Sequence, residues 1–303
     1  MSDRRLYPFV YRNLTSILVR MILRVSHVAS LLLTSALLTA CHRAQPAPDA
    51  IQVAARDGDI ATVTALLKAH PDLISRRNGS GETALIYASC FDHKNVAEML
   101  LAKGADVNAK RNDGFTSLHW AAAHGSVGMM QLLLSKGADV HARDNDGVTP
   151  LGKALNRDVA QLLLDRGADI NSRTNDGRTP LHSATNDFQK DLAKLLIDNG
   201  ASVDSRDNSG NTPLQIAAGQ SSQEIVALLL AHHANIDAPD NGGDTALAWA
   251  MAAGDQEMIQ LLLAKGANPA TKDEKGRSPE EFAIATRREE RDRARKDNVE
   301  AAH

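Results

Sequence analysis

Aromatic side chains are scarce. Two tryptophans, three tyrosines and five phenylalanines make up 3 % of the 303 residues, and Ala, Leu, Val and Ile carry most of the apolar content. A single core of this size ordinarily draws on more rings, so the composition favours thin layers of short helices packed closely together. Cysteine is scarcer still. Cys41 and Cys90 are the only two, which excludes a small secreted scaffold stapled by disulfides. Concentrated positive charge is also missing. The formal charge is −3, and removing residues 1–40, which hold five arginines and one aspartate, leaves −7. A mildly acidic chain with no basic block gives nucleic acid no footing and favours no adhesion to anionic lipid. Long apolar runs are absent as well. The longest candidate, Val28 to Leu38, has eleven residues with Arg20 and Arg24 upstream, against roughly 20 for a membrane-spanning helix.

What the chain has in quantity is repetition. A threonine recurs at Thr83, Thr116, Thr149, Thr179, Thr212 and Thr245, and then a serine at Ser278, in steps of 33, 33, 30, 33, 33 and 33 residues. Two positions before each lies a glycine: Gly81, Gly114, Gly147, Gly177, Gly210, Gly243 and Gly276. "LLAKGADVNAK", "LLSKGADVHAR" and "LLDRGADINSR" keep the same beat. "NDG" supplies small residues that tolerate a tight turn. Thr reads as an N-cap, and Pro150, Pro180 and Pro213 as first helical residues, where the missing N–H costs nothing. A short helix follows, with small pairs such as Ala121-Ala122 that let a neighbour approach. A second helix such as "VGMMQLLLSK" has apolar positions at helical spacing. It ends on a glycine (Gly104, Gly137, Gly167, Gly200, Gly266) suited to a left-handed C-cap. No such unit buries its own apolar face, so stability must come from stacking.

"DGVTPL", "DGRTPLHSA" and "GNTPLQIAA", joined to "KGADVNAK", closely resemble the ankyrin repeat over residues 49 to 303. The resemblance implies an all-α fold, an ankyrin-repeat α-solenoid of stacked helix pairs with projecting hairpin or loop fingers. It also implies a protein that works by binding other proteins. The expected layout is an N-terminal capping repeat at 49–78, then six repeats at 79–111, 112–144, 145–174, 175–207, 208–240 and 241–273. A C-terminal capping repeat with a highly charged helix follows at 274–303. The repeat from Asn145 to Thr174 is three residues short at the helix–helix elbow, which predicts a truncated first helix and a local change in curvature. His233 stands where other copies carry the C-cap glycine, at a cost of about 1 kcal/mol if the left-handed conformation is kept.

The run "LLLTSALLTACHR", residues 31–43, lies outside the repeat register. Basic residues precede it, its apolar stretch has a suitable length, and it ends on small residues, so 1–40 reads as a secretory signal peptide. "MILRVSHVASLLLTSALLTAC" is complete by itself, which makes Met21 an alternative start of translation to Met1. "LTAC" at 38–41 resembles the bacterial lipobox, which implies cleavage before Cys41 and acylation of its thiol. Residues 41–48 would then tether the array on the periplasmic side of the cell envelope, at the outer membrane more than the inner, with the lipid as its only contact with the membrane.

No G-x-S-x-G, P-loop, H-E-x-x-H or dinucleotide fingerprint occurs. The reading is therefore a non-enzymatic protein with no catalytic residues, metal, cofactor or small-molecule substrate, and no nucleic-acid partner. His119 and His182, in the T-P-L-H position, read as structural hydrogen-bonders. His119 and His124 diverge around one helix and do not form the pair of a zinc helix. Cys90 reads as a small residue at a helix end. Tyr87, Trp120 and Trp249, each four after the repeat threonine, read as packing residues. Candidate contacts for a protein partner are positions the architecture leaves undetermined. One set lies between the turn glycine and the threonine: Glu82, Phe115, Val148, Arg178, Asn211, Asp244 and Arg277. The other lies at the end of the first helix, including Phe91 and His124. By the resemblance these line a concave face. Phe115 and Val148 are expected at solvent-exposed finger tips, and Phe115, Phe91 and Arg178 lead because aromatics and arginine dominate binding hot spots. Resemblance to exported bacterial ankyrin proteins, some associated with catalase, implies support of oxidative-stress defence. The alternative is an immunity protein that neutralises a toxin, ahead of a host-directed effector or an enzyme with a cryptic site.

Overall fold

A computed structural model describes residue 47, residues 49–281 and residue 284. The expected signal peptide, Met21, Cys41, most of the expected tether and the charged segment beyond 284 lie outside the described residues. The chain divides into two units, Met1–Pro48 and Asp49–His303, and every described helix belongs to the second.

Helix pairs repeat along it. The first pair is α1 (Ala50–Arg56) and α2 (Ile60–Ala69), followed by a 3-10 turn over Pro71–Ser75. Then come α3 (Ala84–Cys90) with α4 (Lys94–Ala102), and α5 (Ser117–His124) with α6 (Val127–Ser135). The short copy has only a 3-10 turn, Leu151–Lys153, before α7 (Arg157–Asp165). Beyond it lie α8 (Pro180–Asn186) with α9 (Lys190–Asp198), and α10 (Pro213–Gly219) with α11 (Gln223–Ala231). The last described pair is α12 (Ala246–Ala253) with α13 (Gln256–Ala264).

Local chemistry explains each start and stop. Thr116 caps α5, and His119 reaches back to the N–H of Thr116 while the Thr116 side chain accepts from the N–H of His119, a reciprocal box. Thr179 with His182 and Thr212 with Gln215 repeat it, with Pro180 and Pro213 at the first helical turn. Second helices end on glycines of positive φ, from 84° at Gly137 to 97° at Gly266. His233 holds φ 63° in their place, so the left-handed geometry is kept without glycine.

Second helices bury an i, i+1, i+4 stripe: Val96, Ala97 and Leu100 in α4; Met129, Met130 and Leu133 in α6; Val159, Ala160 and Leu163 in α7. First helices bury small pairs, Ala121-Ala122 and Ala217-Ala218, completely. At Gly219 a Cβ would come within 2.7 Å of the Trp249 ring of the next copy. Outside the short copy, first helices of neighbouring copies pack more fully against one another than second helices do, which puts the first helices on the inner side of the stack. The core is one continuous apolar layer from Ile51 to Ala267.

No strand occurs among the described residues, so the hairpin fingers are turns rather than paired strands. Each is closed by two bonds, such as Arg111 N–H to Phe115 O at 2.8 Å and Gly114 N–H to Arg111 O at 2.9 Å. A Cβ on Gly114 (φ 86°) would meet Asn145 N at 2.8 Å, because the next finger lies against it. An asparagine ladder joins the fingers. The amides of Asn145, Asn175, Asn208 and Asn241 each donate to the carbonyl of the preceding asparagine, from Asn112 onward, at 2.8–2.9 Å. Within one copy these asparagines are turn formers; their bond partner is one repeat away.

Candidate interaction surface

The fingers and first helices form the inner side of the stack. Each finger's position is set from behind by the preceding copy. His119 Nε2 donates to Val148 O at 3.1 Å, His182 Nε2 to Asn211 O at 3.1 Å, and Gln215 Nε2 to Asp244 O at 2.6 Å. On the other ring nitrogen, Thr116 N–H and Oγ1 face His119 Nδ1, at 3.3 and 2.9 Å. Nδ1 therefore accepts, and each ring is the neutral Nε2–H tautomer. Burial pushes both imidazoles below their ordinary pKa. These histidines are structural, as their motif position suggests.

Architecture thus claims the backbone of the residue before the threonine and leaves its side chain open, but these side chains are not the bare tips expected. Phe115 and Val148 are half-buried. Phe115 packs on the His119 ring (centroids 5.1 Å) and the Trp120 ring (5.4 Å), and the Lys153 ammonium sits 5.2 Å over it. The expectation that it stands in solvent is therefore corrected. Trp120 continues the cluster to exposed His124 at 5.6 Å. Glu82 accepts from Asn78 and Arg111 at 2.9 and 3.3 Å. Arg178 donates through Nη2 to Asn186 Oδ1 at 3.4 Å, and Asn211 donates to Asp207 Oδ2 at 3.1 Å. Arg277 pairs with Asp273 at 2.6 Å. Asp244 is raised to about 6 by burial and by the charges of Asp240 and Asp273, against Arg277 and Lys275. Phe91 caps α3 with half its surface exposed, stacked on Tyr87 at 6.4 Å. Phe115, Trp120 and His124 thus form one cluster; Phe91, Arg178, Asn211 and Asp244 are spread along the same side, one or more copies apart.

Tyr87, Trp120 and Trp249 are only half-buried and stand beside the fingers, with Trp249 Nε1 donating to Asp240 Oδ2 at 3.2 Å. Their reading as packing residues holds only in part, since each keeps an exposed portion beside the fingers. Gln220 and Asn186, joined at 3.1 Å, are not legible in the sequence, since nothing in one copy shows that its neighbour's amide will face it. Among the described residues, seven buried side-chain polar atoms lack a hydrogen-bond partner, and all seven sit on fingers or first helices or at their ends; they include Trp120 Nε1, Arg178 Nε, Gln220 Oε1 and Asp244 Oδ1. Burial raises the Cys90 thiol, the opposite of what a reactive cysteine needs. Among the described residues no group of His, Cys, Asp and Glu is placed to hold a metal, and no helix is long and apolar enough to cross a membrane.

A stack of two-helix copies with a half-polar inner face defines a repeat protein of the interaction-scaffold class. The family model for ankyrin repeats (3 copies) matches residues 26–111, 51–144, 118–207 and 187–273. The chain belongs to the ankyrin repeat family. The crystal structure of the human ASB11 ankyrin repeat domain is similar to it with a TM-score of 0.65 and 28 % identity, over 75 % of this chain and 100 % of that one. No curated protein gives a significant sequence match. Ankyrin repeat domains bind protein partners and are typically non-enzymatic modules; the coarse function of this chain is that of a protein–protein interaction scaffold.

Proposed function

We propose that the chain is a non-enzymatic scaffold or inhibitor that holds a protein partner on its inner, concave face while a lipidated Cys41 tethers it to the periplasmic side of the bacterial envelope. The observation that carries the binding face is the clustering of unpartnered buried polar atoms on fingers and first helices. A native structure leaves few such groups; Gln52, Thr185 and Thr245 are wholly interior, whereas Trp120, Arg178, Gln220 and Asp244 are half-buried and stand where a partner would meet them. Second helices have none among the described residues. The anchor rests on the sequence alone, on "LTAC" and the short apolar run before it. Support of oxidative-stress defence and neutralisation of a toxin would both use this face and differ only in the partner held.

Affinity capture from envelope extracts with the lipidated protein, set against Phe115→Ala/Arg178→Ala, tests the face. We expect a specific partner that the double variant loses; a partner list unaltered by the substitutions removes the assignment. Metabolic labelling with a fatty-acid analogue tests the tether: Cys41→Ser should abolish incorporation, and undiminished label would refute acylation at this thiol.

A further inference from the structure

The short copy opens a cleft. With its first helix reduced to a 3-10 turn over Leu151–Lys153, the chain runs directly to Leu155, whose N–H bonds back to Ala122 O at 3.1 Å. A cavity of about 430 Å³ fills the space of the missing helical turn, between Ala123 of α5 and Asn186 of α8. It shares Leu155, Gln189 and Leu192 with a second hollow of about 680 Å³ at the elbow, so the two form one cleft from finger to rim.

Two apolar side chains border the elbow end, Leu155 at 48 % exposure and Phe188 at 58 %. Phe188 is unusual for its backbone. The elbow demands a left-handed residue, supplied elsewhere by Gly58, Asp92, Gly125, Ser221 and Gly254. Here a phenylalanine holds φ 58° with its ring in solvent. A bulky side chain in that region is strained and, being exposed, gains little burial in return, so the position is poorly explained by folding. At the finger end lie Asp146 and Asp176, exposed and one copy apart, with carboxylates that make no ion pair among the described residues; the equivalent Asp113 is paired with Arg111 at 3.1 Å. The cations here are already engaged. Lys153 lies over the Phe115 ring, and Arg178 spends Nη2 on Asn186 while its buried Nε donates to nothing. Around the whole cleft six carboxylates face four cationic groups, one of them, Lys190, already paired with Glu224 at 3.2 Å.

Resting on the protein-binding reading above, we propose that this cleft docks a partner segment carrying a large apolar side chain, seated between Leu155 and Phe188, and a lysine or arginine directed to Asp146 and Asp176. Charge complementarity selects a basic segment over an acidic one, and the strained, exposed Phe188 is its anchor.

Selection of phage-displayed random dodecapeptides on the full-length protein in detergent tests this. Enrichment of sequences that join Leu, Ile, Met or Phe to Lys or Arg is expected. The best synthetic peptide should bind at least tenfold more weakly to Phe188→Gly and to Asp146→Lys/Asp176→Lys. Phe188→Gly relieves the backbone, so its melting temperature should equal or exceed that of the wild type, which separates lost binding from lost fold. Enrichment of acidic peptides, no enrichment over an unrelated protein, or affinity indifferent to Phe188→Gly overturns the proposal. Envelope capture distinguishes the two readings. A partner kept by Phe188→Gly but lost by Phe115→Ala/Arg178→Ala leaves the inner face standing and removes the cleft as its seat.

Discussion

At the scale of single residues, the same job is done by different chemistry in neighbouring copies. His119, His182 and Gln215 each close a reciprocal cap on the repeat threonine and each bind the carbonyl of the next finger. Only the glutamine is indifferent to pH. A second proton on either imidazole would face the Thr116 or Thr179 N–H, which already donates to Nδ1. The folded pKa of both histidines is depressed, so their contribution to stability is fully present above the unfolded value of about 6.5 and is lost as pH falls below it. Thermal melts of wild type and His119→Gln/His182→Gln should nearly coincide at pH 7.5, and the wild type should lose more of its melting temperature by pH 5. Parallel losses would show that these rings are not what titrates. Asp244 works in the opposite direction. Its pKa is raised to about 6, so the charged form is the strained one and Asp244→Asn should stabilise the array at pH 7.5 by on the order of 1 kcal/mol after solvent screening. That gain should fade as pH falls through 6 toward 4; a gain independent of pH would remove the assigned cause.

At the scale of elements, three missing residues separate one copy from the rest. Elsewhere a first helix of seven or eight residues buries small residues against its neighbours, an alanine pair in α5 and α10. In the short copy, Lys153 and Ala154 have only the 3-10 bonds to Pro150 and Leu151, at 3.1 and 3.2 Å. Such bonds are poorer in geometry and open more readily. Amide hydrogen exchange should therefore be faster at Lys153 and Ala154 than at Ala121, Ala122, Ala217 and Ala218; equal protection would mean that the short copy is as firmly built as its neighbours. The truncation was legible in the sequence, because the interval between threonines falls from 33 to 30 there. The cleft that it opens was not. Its walls come from copies on both sides, and Leu155 and Phe188, 33 residues apart, become neighbours only when copies stack.

At the scale of the whole array, each copy touches only those beside it, so stability is a sum of local terms and cooperativity depends on every interface. The short copy lies in mid-stack with the least first-helix burial. Leu163 of α7 is completely buried there, and Leu163→Ala should cost about 2–5 kcal/mol. Because the loss falls at an internal interface, urea unfolding should also broaden or split. The same change at Leu262, also completely buried but in the last described helix pair, should loosen the C-terminal part of the array and leave the main transition steep. A single steep transition in both variants would show that coupling across the short copy is stronger than its contacts suggest.

The amino-acid sequence by itself determined the period, the capping threonines, the left-handed glycines and the two-helix copy, because each depends on bonds made within a few residues. It also marked which side chains the copy does not need for its own turns and caps. Only the tertiary structure decided what those side chains meet. Phe115 lies against two rings instead of standing in water, the asparagines bind one repeat away, and Arg178, Gln220 and Asp244 keep buried polar atoms without partners. The reason is geometric: a repeat unit encodes its own turns and caps, whereas a surface shared between copies exists only after stacking has set their spacing and twist.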